Sequence, residues 1–123
     1  RKVDLVLTGH DHLYSRTYPV SANGDPITDT ETETADFNGT QVEYLVNPEG
    51  PVHLASGCSG VQGRIALDSL EEKYARMFQE QKNSDFVSYS AINIDGNRLT
   101  VNYYMVEVAT EEAELISSWG IQK

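Results

Sequence analysis

Asp95-Gly96, lying between two runs of β-branched and aromatic residues, constrains the fold of this chain more than any other feature. Phe86 to Ile94 and Leu99 to Val108 flank Asp95-Gly96-Asn97-Arg98. Asp-Gly at such a junction favours a tight hairpin, because glycine accepts the positive φ that a short loop between twisted strands requires. The two runs are therefore predicted to pair antiparallel. Leu99, Val101, Tyr103 and Met105 alternate along the second run and commit one of its faces to a core. After the polar turn Thr110 to Glu114, Leu115-Ile116 through Trp119-Gly120-Ile121 is predicted to form a last edge strand, with Trp119 as a packing anchor.

Upstream, Val42 to Val46 and Val52 to Ser56 are two further strand-like runs. Asn47-Pro48-Glu49-Gly50-Pro51 separates them and is dense in turn residues, which predicts a second hairpin. Between the two hairpins, Ser69-Leu70-Glu71-Glu72 has capping-box spacing, in which serine and glutamate each satisfy an unpaired amide at a helix start. Leu70, Tyr74, Met77 and Phe78 then form one apolar stripe at helical spacing, and Asn83 is the predicted helix end. Residues 21–39 are predicted to be an acidic excursion loop. Asn23-Gly24-Asp25-Pro26 is a turn signal, and Asp29 to Thr34 alternates polar residues with no apolar face. Asn38-Gly39-Thr40 has the form of an N-glycosylation acceptor, which matters only in a secreted eukaryotic protein.

The 123 residues suffice for one modest core, a single domain or part of one. A net charge of -10, from 19 acidic residues against 9 Lys plus Arg, disfavours nucleic acid as a partner, since its phosphates would be repelled. No stretch is long and apolar enough for a membrane span, and the N-terminus is no signal peptide. The single cysteine, Cys58, allows no internal disulfide. It stands in Gly57-Cys58-Ser59-Gly60, which lacks the Lys-Ser/Thr of a phosphate-binding P-loop.

The chemistry of the chain is concentrated at its start. Val3 to Leu7 is a buried-strand run that ends at Gly9 and is followed by His10-Asp11-His12. Two residues of extended chain return the side chain to the same face, so His10 and His12 are predicted to leave the strand tip pointing the same way, a geometry suited to metal, with Asp11 facing away. Arg16 follows close behind and can either bind phosphate in bidentate fashion or clamp the loop to a carboxylate. Tyr14 is expected to pack. His53, inside the second strand run, is either a third ligand or a strand-face histidine partnered by backbone or solvent.

Gly9-His10-Asp11-His12, preceded by an apolar strand and followed by Leu13-Tyr14-Ser15-Arg16-Thr17, resembles the GHxH block of the calcineurin-like metallophosphoesterases, most closely the purple acid phosphatase branch. Gly57-Cys58-Ser59-Gly60 resembles that family's glycine-rich loop, and the terminal hairpin resembles the one completing its second sheet. The resemblance implies the C-terminal part of a four-layer α/β/β/α sandwich: α+β and β-rich, mainly one mixed or antiparallel sheet with one helix, spanning residues 1–123. It implies that His10 and His12 ligate a binuclear centre of Fe with Fe, Zn or Mn, which hydrolyses phosphate monoesters through a metal-activated hydroxide. An extracellular or cell-surface location is implied likewise. The family's earlier metal-binding blocks, including GDxxY or GDxxD and GNHE, do not occur in these residues. The missing N-terminal part of the domain is thus an expected partner, and the isolated chain is expected to be inactive. Two alternatives stand beside this reading: a non-catalytic β-rich scaffold or interaction module, and a single-zinc hydrolase using His10, His12 and His53.

Overall fold

Two β-sheets, each with one parallel pair among antiparallel ones, lie face to face in the computed structural model, which describes residues 2–10, 12–57, 72–82 and 87–123. In chain order the elements are β1 (Leu5–Thr8), β2 (Tyr14–Thr17), β3 (Thr32–Phe37), β4 (Thr40–Val46), β5 (Val52–Ser56), α1 (Glu72–Ala75), β6 (Phe78–Lys82), β7 (Val87–Asp95), β8 (Arg98–Glu107) and β9 (Glu112–Gln122). The first sheet has the order β1-β5-β2-β6 and the second β3-β4-β9-β8-β7. The expectation of mainly one sheet is thereby corrected to two, although the β-rich character holds.

The predicted terminal hairpin is present. β7 and β8 pair antiparallel from Val87 opposite Val106 to Asp95 opposite Arg98, with Gly96 at φ 57° in the loop. Val101 and Tyr103 are fully buried, and Leu99 and Met105 pack against the same core, so the alternation read from β8 sets its inner face. Facing them from the first sheet are Tyr14, Val52 and Leu54, and β4 and β9 add Leu45, Trp119 and Ile121. Tyr14 stacks on Tyr103 with ring centroids 4.1 Å apart, a contact worth about 1 kcal/mol beyond its area.

Four local expectations are overturned by long-range pairing. β4 and β5 form no hairpin and belong to different sheets, with β5 parallel to β1. The connection leaves one sheet where Asn47 donates its N–H to the Gln122 carbonyl and joins the other where the Pro51 carbonyl accepts from Val20. Gly50 lies against the Val20 backbone, where a Cβ would collide. The predicted helix is reduced to the four residues of α1, and its Ser69-Leu70-Glu71 start and Asn83 end lie outside the described residues. Phe78–Lys82 is instead strand β6, because the free edge of β2 offers backbone partners opposite Lys82, Gln81, Glu80 and Phe78.

Part of the excursion loop is also strand. β3 pairs with β4 over six residues despite its exposed, polar faces, since an edge strand needs only one neighbour's backbone. Lastly, β9 is not an edge. It lies between β4 and β8, parallel to the first and antiparallel to the second, which is why Trp119 and Ile121 are buried.

Candidate functional site

β1 and β2 flank β5 on opposite sides, so Gly9-His10 and His12-Leu13, which lead out of β1 and into β2, lie at the carboxyl end of β5. Leu13 is fastened there: Gly57, just past β5, donates its N–H to the Leu13 carbonyl at 3.1 Å. Carboxyl ends of parallel strands are where open sheets place ligands, because the connecting loops diverge there and leave room. His10 is exposed on this loop and His12 half-buried.

The loop does not continue the strand. β1 stops at Thr8, and His10 has φ 80°, in the left-handed region that costs a non-glycine residue about 1 kcal/mol or more. The alternation of an extended chain therefore does not carry from His10 to His12, and any convergence of the two imidazoles must come from the turn itself. Asp11 lies outside the described residues, as do Cys58, Ser59 and Gly60.

His53 lies opposite Val6 on the neighbouring strand, four residues before His10 and towards the other end of β1. Its backbone N–H donates to Thr17 Oγ1 at 3.0 Å. Because β5 alternates, His53 faces away from the Val52 and Leu54 core, into a shallow cleft of about 390 Å³ with Thr8, Ser15, Thr17 and Phe78. No three His, Cys, Asp or Glu side chains among the described residues are grouped to hold a metal. His10, His12 and His53 are thus not brought together as one group of donors in this structure. For a binuclear centre, the two imidazoles form only part of a donor set, because paired ions also need carboxylates to bridge and neutralise them.

Behind the loop, polar side chains join the two sheets. Arg16 Nε lies 3.3 Å from Glu80 Oε2, and its guanidinium sits 4.8 Å from the centre of the Trp119 ring. Glu80 also accepts from Ser117 Oγ at 2.8 Å and meets Lys82 Nζ at 3.4 Å. Arg16, on the inner face with Tyr14, is thus held by a carboxylate and an indole. The Trp119 indole N–H donates to the Tyr14 hydroxyl at 2.9 Å. Burial pushes the Tyr14 phenol above its ordinary value; a hydrogen bond with Ser117 pulls it back, and the Glu80 charge adds to the rise. Sequence reasoning found Tyr14, Arg16 and Trp119 one by one but not Glu80 or Ser117. No local pattern pairs a tyrosine with a tryptophan 105 positions away.

Comparison with known proteins gives two relatives. The chain is 38% identical over 58 residues to acid phosphatase type 7 of Danio rerio, covering 47% of this chain and 11% of that protein. It is 33% identical over 63 residues to acid phosphatase type 7 of Homo sapiens, covering 51% of this chain and 12% of that protein. The chain thus spans about a tenth of the length of these relatives. No family model matches it, and neither does any solved structure. About half of the chain is therefore similar to acid phosphatase type 7 of these two organisms.

Proposed function

We propose that this chain is part of the catalytic domain of a metal-dependent phosphatase acting on small phosphate monoesters, and that His10 and His12 are ligands it contributes to a binuclear centre of Fe with Fe, Zn or Mn. The observation that carries the reading is the fastening of the histidine loop at the carboxyl end of parallel strands β1 and β5 by the bond from Gly57 to Leu13. The partial relation to acid phosphatases supports it. Net charge disfavours unaided capture: at -10, the chain repels phosphate esters, so bound cations would have to supply the positive field at the site. The bridging carboxylates would come from polypeptide outside these residues, completing a four-layer α/β/β/α sandwich, and the whole would act outside the cell or at its surface.

The full polypeptide carrying this chain should hydrolyse p-nitrophenyl phosphate, with turnover lost in the His10→Ala and His12→Ala variants. Wild-type turnover in both variants would overturn the proposal. Because GDxxY or GDxxD and GNHE do not occur in these residues, a second reading stands for the 123 residues in isolation, a β-rich module without catalysis. Histidine-dependent turnover by that isolated chain, with Fe, Zn or Mn added, would remove this second reading.

A further inference from the structure

Asn38-Gly39-Thr40 is the one Asn-x-Ser/Thr triplet in the chain, and the fold places it at the tip of the β3–β4 hairpin. Phe37 pairs with Thr40, leaving Asn38 and Gly39 as a two-residue loop with φ 51° and 85°. These are the positive angles of a type I′ turn, which asparagine and glycine adopt at least cost. The turn explains Asn-Gly but makes no demand for a hydroxyl residue after it. Thr40 opens β4, where a β-branched residue is favoured, so the triplet and the hairpin are compatible.

Three observations make the tip fit for a bulky substituent. Asn38 and Gly39 are both exposed, and a Cβ built on Gly39 would meet nothing within 4 Å. The turn is held by Asp36, whose Oδ1 accepts the Gly39 N–H at 3.2 Å, so a substituent on the Asn38 amide removes no bond that shapes the loop. β3 is also the outer edge of the five-stranded sheet, with Thr32, Glu33 and Thr34 exposed and one row of backbone groups open to pairing. A glycan beside such an edge shields it from another strand, as charges or bulges do elsewhere.

We propose that Asn38 is an N-glycan attachment site. The transfer joins C1 of the reducing-end sugar of a lipid-pyrophosphate oligosaccharide to Asn38 Nδ2. It breaks the bond from C1 to the phosphate oxygen and releases the lipid pyrophosphate, with the amide proton passing to solvent. The inference rests on the extracellular location that goes with the phosphatase reading, although neither histidine takes part in it.

The test is expression of the full polypeptide in human cells behind a secretory leader. Peptide-N-glycosidase treatment in heavy-oxygen water and mass spectrometry of the Asn38 peptide follow, on cells and medium together. The expected result is a heavy-oxygen aspartate at position 38 and a one-glycan mobility step that Asn38→Gln and Thr40→Ala remove and Thr40→Ser keeps. Because Gln tolerates a positive φ poorly, the Thr40 pair reads the site with the turn residues intact. An unmodified Asn38 peptide, or a mobility step unchanged in Thr40→Ala, would overturn the proposal.

Discussion

The Trp119 indole donates to the Tyr14 hydroxyl at 2.9 Å, and this bond ties the strand that follows the histidine loop to the central strand of the opposite sheet. Both residues are buried, with Tyr14 completely inaccessible. Removing one partner strands a polar group away from water, which costs more than the bond itself is worth. Tyr14→Phe should destabilise the protein by about 1 to 3 kcal/mol. Trp119→Phe should cost about 2 to 4 kcal/mol, because it also leaves a cavity. In a double-mutant cycle by urea denaturation, the pair should show a coupling of about 1 kcal/mol. Simple additivity would mean that the bond carries no stability.

The same tyrosine gives the fold an alkaline limit. Its phenol titrates above the ordinary 10.0 because burial disfavours the phenolate, so above that value the unfolded chain loses its proton while the folded one keeps it. Stability from this group is complete below pH 10.0 and is lost as pH rises towards the raised folded value. Urea midpoints measured from neutral pH upwards should fall less steeply in Tyr14→Phe than in wild type once pH passes 10.0. Parallel profiles would show that Tyr14 does not contribute to the slope.

Glu80 and Asp25 each pair with an arginine, but in different surroundings. The Arg16–Glu80 side chains are 12% and 19% exposed, whereas those of Arg76–Asp25 are 57% and 63% exposed. Glu80→Ala removes the carboxylate that a largely enclosed guanidinium and the Ser117 hydroxyl both donate to, and should cost about 2 kcal/mol. Asp25→Ala should cost no more than about 0.5 kcal/mol, since solvent screens the exposed pair. Thermal denaturation of the two variants side by side checks the contrast, and equal losses would contradict it.

What the sequence made legible follows from how local each signal is. Asp95-Gly96 and the alternation Leu99, Val101, Tyr103, Met105 sit within the hairpin they specify, so β7 and β8 could be read directly. Phe78–Lys82 could not, because Tyr74, Met77 and Phe78 keep helical spacing and the free β2 edge that captures the segment is some sixty residues upstream. β4 and β5 misled for the same reason: Asn47 to Pro51 has turn composition, but the bonds that direct it run to Gln122 and Val20. At the site, the glycine and histidine spacing was visible in the chain. The left-handed φ of His10 and the bond from Gly57 that holds the loop were not, being products of the turn and of β5.

In the proposed function, His10 and His12 hold metal together with donors from outside this chain. The most direct measurement is bound Fe, Zn and Mn per molecule, by elemental mass spectrometry, in the purified full polypeptide and its His10→Ala and His12→Ala variants. Outer partners of metal ligands already cost about 10- to 100-fold in affinity when mutated, so loss of a ligand should cost at least that much. About two metals per molecule are expected in wild type and a clear deficit in each folded variant. Equal metal content in all three proteins would contradict it.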